Sequence, residues 1–306
     1  MMRSIRYISL NSFLFFVLMG LCLTGEAHAD FTLTPGISLR VEYDDNLFLT
    51  TDDETDDFST TVVPSISLLQ ESKYLRTDLR YSLEFIKYLN ETYLDETEIK
   101  DIQRASVTGA VLPDNRFSVL YEASIDRVTV DDRRSETSNI VNVTNEYRGL
   151  VRPRYQYRLA PNITGEIAYQ YETTQYDNPD SVIDSVTELN DVEDHDAFLQ
   201  MVLAASANLN FQLETYYNWH QSDEFPDYEM WHGLAGFLWT PLSHLSLDVN
   251  AGGAITDPEE GRDNLKDSLY RISLAYRPPE NWGFFTSYTK DFKTSIDDGR
   301  YKWWEF

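Results

Sequence analysis

The chain has almost no thiol: its 306 residues include a single cysteine, Cys22. Histidine is also sparse, with five scattered copies, so no zinc or transition-metal spacing is present. No glycine-rich phosphate loop occurs, and no cofactor or metal is expected. Basic residues are outnumbered, 25 against 51 acidic ones, for a formal charge of −26. That balance argues against nucleic acid as a partner. Long apolar runs are missing as well, apart from Ile8 to Leu23. A mean hydropathy of −0.42 is too polar for a bundle of membrane helices.

The one apolar run has the layout of a secretory signal. Arg3 and Arg6 precede it, and the small-residue box Ala27-His28-Ala29 follows. Residues 1–29 are therefore expected to be a signal peptide cleaved after Ala29, leaving a mature chain that starts at Asp30. Cys22 would leave with the signal. Leu21 stands before it where a lipidated cysteine needs a small residue. No Pro/Gly/Ser-rich linker divides 30–306, so it reads as one domain. A thiol-free exported chain suits a closed β-ladder, which needs no covalent staple.

What the chain does contain is alternation at two scales. Long acidic connections start at Asp44, Leu89, Arg127, Thr173, Ser222, Ile255 and Asp291. Between them fall tight turns at Gln70, Pro113, Ala160, Asn208, Pro241 and Pro278. Those thirteen connections join fourteen strands and place both termini at one end. Within strands, apolar and polar residues alternate: Leu79, Tyr81, Leu83 and Phe85 against Arg80, Ser82 and Glu84; Phe117, Val119, Tyr121, Ala123 and Ile125 against Ser118, Glu122 and Asp126. Leu245, Leu247, Val249 and Ala251 alternate likewise with Ser246, Asp248 and Asn250. The fold class is all-β: a single antiparallel transmembrane β-barrel of about 14 strands, with short periplasmic turns and long acidic extracellular loops. A soluble β-sandwich also alternates and is the competing architecture. The 20 Tyr, 16 Phe and 6 Trp are what two interfacial girdles would take up, which tilts the reading to the barrel. Its last strand, Arg300 to Phe306, is short, and it is expected to close the barrel against the strand from Phe31 to Tyr43.

Charge follows the same division. Without the signal the balance is −27, and the seven long connections carry all of it. Acidic loops keep a crowded outer surface soluble and can hold divalent cations among the anionic headgroups of outer-membrane lipid and lipopolysaccharide. If the apolar phase faces lipid, the lumen receives Arg40, Arg76, Arg80, Arg104, Arg148, Arg152, Arg154, Arg158, Arg271 and Arg277. The same phase turns Glu84, Glu122, Glu166, Glu214 and Asp248 inward. Arg148, Arg152, Arg154 and Arg158 share one strand face because their spacings are even. Such a row suits anionic solutes, as in selective pores; equally, it suits a structural arginine–carboxylate lattice that stiffens the wall.

The opening segment, Glu42-Tyr43-Asp44-Asp45-Asn46-Leu47-Phe48-Leu49-Thr50 and then Asp56-Asp57-Phe58 through Pro64-Ser65-Ile66-Ser67-Leu68, resembles the first hairpin of the β-barrel porin 2 family. Beyond it, the likeness is a shared rhythm of strands. The resemblance implies a bacterial outer-membrane location, insertion by the barrel-assembly machinery and exopolysaccharide-export components as partners. It carries no catalytic residues. Phe306 supplies the aromatic C-terminal end of such barrels, although Lys302 shares its face.

Two histidine–serine pairs, His220/Ser222 and His244/Ser246, have the spacing of outer-membrane phospholipase dyads. Ser222 is expected in a loop and His244 in a turn, so no enzyme is read here. His195, between Asp194 and Asp196, reads as a solvated loop histidine, and His232 as a polar lumen residue. The expected function is thus a porin-like polar passage; a non-conducting scaffold barrel is the alternative, and a membrane-embedded hydrolase the remote one.

Overall fold

The structure of the protein, a computed structural model, describes residues 30–48, 54–129, 143–177, 191–223, 227–258, 265–278, 282–293 and 301–305. They form one antiparallel sheet that runs through the chain as a meander. Its strands are β1 (Asp30–Asp44), β2 (Asp57–Glu71), β3 (Leu75–Leu83), β4 (Phe85–Tyr88), β5 (Gln103–Val111), β6 (Phe117–Thr129) and β7 (Val143–Ala160). Then come β8 (Ile163–Tyr176), β9 (Val192–Ser206), β10 (Leu209–Ser222), β11 (Tyr228–Leu242), β12 (Leu245–Pro258), β13 (Leu265–Tyr276), β14 (Phe284–Lys293) and β15 (Tyr301–Glu305). Strands β3 and β4 pair with β2 in one continuous register, Leu79 opposite Leu68 and Phe85 opposite Val62. They therefore occupy one position, and the sheet has the expected fourteen. At Glu84 the far edge passes from β5 to the following connection: Glu84 N donates to Ile102 O at 2.8 Å, and Ile86 bridges Glu96.

Short and long connections fall at opposite ends, as expected. Ser72 builds the first turn, its Oγ accepting from Leu75 N at 3.0 Å while its own amide donates to Leu75 O at 2.9 Å. In the β5–β6 turn Leu112 takes the left-handed backbone, φ 52°, a conformation disfavoured for a residue with a Cβ. At the loop end, buried Asp57 accepts from the amides of Asn90 and Glu91, at 3.1 and 2.8 Å, and ties the 89–102 connection to β2.

Register propagates one phase across the whole sheet. Arg40 faces Thr61, Ser67 faces Arg80, Thr108 faces Glu122, Ser124 faces Arg148, Glu166 faces Gln200, Glu214 faces Leu234 and Asn250 faces Arg271. The opposite face is predominantly apolar, for example Phe31, Leu33, Ile37, Leu39, Val41 and Tyr43 on β1, with a few polar residues such as Thr77, His195 and Lys290. It is uncovered: Ile37 is 77% exposed and Leu39 70%. A sandwich would bury this face beneath a second layer, and among the described residues there is none. Among the described residues, a buried apolar cluster of Leu234, Ala254 and Leu269 lies on the polar face.

That polar face is concave. Glu214 on β10 reaches Arg271 on β13 at 3.8 Å. On a flat sheet their Cα atoms would stand about 16 Å apart, given strand spacings near 4.8 Å and the offset along the strand. Covering that gap needs both side chains fully extended along the sheet, whereas strand side chains stand roughly perpendicular to it. Bending toward the polar face removes the conflict. On the other face Tyr121 lies flat over Gly109, its hydroxyl 2.6 Å from Thr77 Oγ1; a Cβ at Gly109 would meet that hydroxyl at 2.3 Å.

Three expectations need correction. Among the described residues no ladder joins β15 to β1, and every residue of β1 is exposed, as an edge strand's would be. Five residues of β15 reach only Thr289 to Lys293 of β14, too few to extend along β1. Secondly, strands run further into the acidic segments than their side chains suggest, so Thr173 to Tyr176, Glu193, Asp194 and Ser222 are all in strands. Backbone ladder bonds are indifferent to side-chain charge. Lastly, His195 is not in a loop but on the apolar face of β9.

Candidate functional site: the polar face

Most of the arginines expected on one face do share it, and the structure distinguishes three kinds of partner. Five meet carboxylates at 3.7 Å or closer within their own neighbourhood: Arg40–Glu42 at 3.3 Å, Arg76–Asp114 at 3.0 Å, Arg80–Asp78 at 3.0 Å, Arg104–Glu84 at 3.7 Å and Arg148–Glu172 at 2.6 Å. Arg271 joins them at longer range, sharing Glu214 with His232, whose Nε2 is 3.5 Å away. A second group crowds onto one acid. Glu166 receives Arg152 at 3.4 Å, Arg154 at 4.0 Å and the Gln156 amide at 3.0 Å. Arg152 also lies 4.5 Å over the Phe198 ring, and Arg154 donates to Ser118 Oγ at 2.8 Å. The third kind has no carboxylate among the described residues. Arg158 donates to the carbonyls of Ala160 and Pro161. Arg277, one residue past β13, stands at the turn end, where its amide bonds His244 O at 2.7 Å.

The acids divide likewise. Asp248 takes amides rather than guanidinium groups, from Gln212 and Asn250, both at 2.7 Å. Glu122, in the middle of β6, has no ion pair among the described residues. At the loop end, Asp194 and Asp196 form a network that alternation alone did not single out. Asn218 donates to both, at 2.9 and 2.7 Å; Tyr216 donates to Asp196 at 2.7 Å; His220 Nδ1 is 2.8 Å from Asp194. His220 is buried and stacks on Tyr228, ring centroids 4.4 Å apart. Extending the even phase of β9 back through Asp194 would have revealed this group.

Along the strands β7 to β10 the charges therefore separate. Glu146, Glu172, Asp194 and Asp196 stand near the loops with Arg148 as the nearby arginine; Arg152, Arg154 and Arg158 stand near the turns around Glu166. On these strands the acids thus lie mostly toward the loop end of the face and the arginines mostly toward the turn end. Beside β1 and β2 the face is smoother, a hollow of about 390 Å³ lined by Ser65, Ser67, Ser82 and Ser106 between Arg80 and Arg104.

The apolar face has its own order. Aromatic residues gather toward each end of the strands: Tyr43, Phe58, Tyr171, Trp219 and Trp231 near the loops; Phe31, Phe117, Tyr155, Phe211 and Trp239 near the turns. Aliphatic and small residues such as Ile37, Val151, Ile167 and Ala251 fill the space between. His195 belongs to the loop-side row, stacked on Trp219 at 5.1 Å with the Tyr169 hydroxyl 2.6 Å from its Nδ1.

Among the described residues no helix is long and apolar enough to cross a membrane, which says nothing of a β-barrel. No model of a known protein family matches the chain, and a search of curated proteins finds no match either.

Proposed function

We propose that the chain is an outer-membrane β-barrel whose polar face lines a passage for water and small polar solutes. One observation carries this reading: a single meander of fourteen strand positions presents a predominantly apolar face without a second layer on one side and a concave charged face on the other. In water that apolar face would be an aggregation surface far beyond what soluble proteins tolerate. In lipid it is the solvent contact, and its aromatic rows fall where headgroups lie. Strongly twisted sheets of this width tend to curl or close, and closure would satisfy the open edge of β1, whose unpaired groups are costly in hydrocarbon. About eight strands fill with their own side chains whereas 16 to 18 leave a channel, so fourteen falls toward the open side. The likeness of the Glu42–Leu68 hairpin to the β-barrel porin 2 family supports an envelope role linked to exopolysaccharide export. It also favours insertion by the barrel-assembly machinery.

A second reading, a closed scaffold, draws support from the loop half of the polar face. There Leu234, Ala254, Leu269, Asn218 and His220 are all buried. Conductance in planar bilayers separates the two. A passage gives steady unitary currents whose anion preference falls with Arg152→Glu, while a scaffold inserts and stays silent. Orientation is tested by single cysteines in the mature chain, which has none of its own. Labels at Thr187, outside the described residues, should react in intact cells, and labels at Asn115 in the β5–β6 turn should not. The reverse pattern rejects the proposed topology. The hydrolase reading is tested by lipid hydrolysis and its loss in His220→Ala; the orientation of His220 toward Asp194 gives it no support.

A further inference from the structure

The turn end of the polar face contains a groove of about 400 Å³ walled by Arg116, Gln156, Arg158, Thr164, Glu166 and Gln200. Strand register places the last five on the polar face, since Gln156 faces Glu166, Arg158 faces Thr164 and Glu166 faces Gln200. Arg116 enters from the β5–β6 turn, where its carbonyl accepts from Gln156 N at 2.7 Å. Its guanidinium has no side-chain partner among the described residues. Arg158 spends its donors on two backbone carbonyls, which leave its charge uncompensated. The one acid of the wall, Glu166, is already held by Arg152, Arg154 and Gln156. The groove is thus a cationic hollow edged by amide and hydroxyl groups.

From this we infer a binding site for an oxyanion on a hydroxylated carrier, the chemistry of a sugar acid or a sugar phosphate. The Arg116 guanidinium, unpartnered among the described residues, together with the remaining N–H groups and uncompensated charge of Arg158, matches a planar or tetrahedral oxyanion by paired donors. Gln156, Gln200 and Thr164 offer the mixed donors and acceptors that hydroxyl groups require. Arg154 and Arg152 continue the row beyond the groove at steps of about 13 and 7 Å along the strand, so a chain of several charged units would find further contacts. The inference rests on reading this face as the wall of an aqueous passage, and it assigns that passage a solute class and a place where the solute pauses. Acidic loops at the other end would repel the same solute, so loading from the turn end is favoured.

Calorimetric titration of the detergent-solubilised full chain tests the site without needing conduction. The probes are a glucuronate oligomer, glucose 6-phosphate and, as the neutral control, maltotriose. One or both anionic probes should bind, with an affinity that falls as salt is raised; maltotriose should bind at least about tenfold more weakly, the equivalent of one charge-assisted contact. Whichever anion binds tighter names the oxyanion. Arg116→Gln should weaken binding about tenfold. That side chain is exposed and unbonded, so folding is not at stake; Arg158→Gln provides a second, independent arm. Maltotriose binding as tightly as the anions, or an Arg116→Gln affinity within about twofold of wild type, would overturn the site. Binding without conductance would keep the groove and remove the passage; conductance without binding would remove the groove alone.

Discussion

Replacing Ile37 with arginine separates a membrane wall from a water-facing sheet more sharply than any other single change. Ile37 lies at the middle of the apolar face of β1, six residues from Phe31 and six from Tyr43. At about 3.3 Å per residue and a barrel tilt near 40°, those two aromatic residues stand roughly 30 Å apart along the membrane normal, the thickness of a hydrocarbon core. Ile37 would then sit at the midplane. An arginine there costs about 2–4 kcal/mol, a roughly 30- to 700-fold loss in the folding equilibrium. Tyr43→Arg, at the interface, should cost about 0–1 kcal/mol. In water the expectation is different, because Ile37 is 77% exposed and such a surface change stays within about 0.5 kcal/mol. Denaturant titration of the chain refolded into lipid vesicles measures both variants. Equal stabilities for Ile37→Arg, Tyr43→Arg and wild type would refute the membrane assignment of this face.

Other expectations follow from particular contacts. Leu112→Gly in the β5–β6 turn should stabilise by about 0.5–1 kcal/mol in the same titration, since glycine adopts the left-handed backbone without the Cβ clash but loses some chain entropy. Gly109→Val should destabilise by about 1–3 kcal/mol, because the new side chain displaces Tyr121 from Thr77. Tyr121→Phe, which removes only the hydrogen bond, should cost about 1 kcal/mol and so isolate that part. Near the loops, burial pushes the Asp191 carboxyl up, with repulsion from Asp223 adding to it against the pull of the Tyr176 amide. A raised folded value means that its stabilising contribution is complete below the unfolded value, about pH 4, and is lost as pH rises through the folded one. Asp191→Asn keeps an acceptor for the Tyr176 amide, so unfolding titrations should show it more stable than wild type at pH 7 and equal to it in acid.

Periodicity is a local property, and whatever depends on it was legible in the residues alone. Side chains in a strand alternate whatever the neighbours do, so the faces of Arg40, Arg148, Arg152, Arg154 and Glu166 follow from even spacing. The order of tight turns and long acidic connections likewise determined fourteen strand positions and the two ends of the sheet. Pairing is not local. Which acid an arginine meets depends on the stagger of adjacent strands, and this left Glu166 with two arginines, Arg158 with no acid among the described residues and Asp248 with amides. Strand ends are set by the ladder rather than by polarity, which carried Asp194 and Ser222 into strands. His195 moved from an apparent loop to an aromatic row for the same reason. Arg116, in a turn without alternation, had no phase to assign it to a face; only the fold of β6 against β7 and β8 brings it to the groove. Closure was equally beyond alternation. The sequence determines that β1 has an apolar and a polar side, but whether its edge finds a partner depends on how far β15 extends along the far end of the sheet, a property of the whole tertiary arrangement.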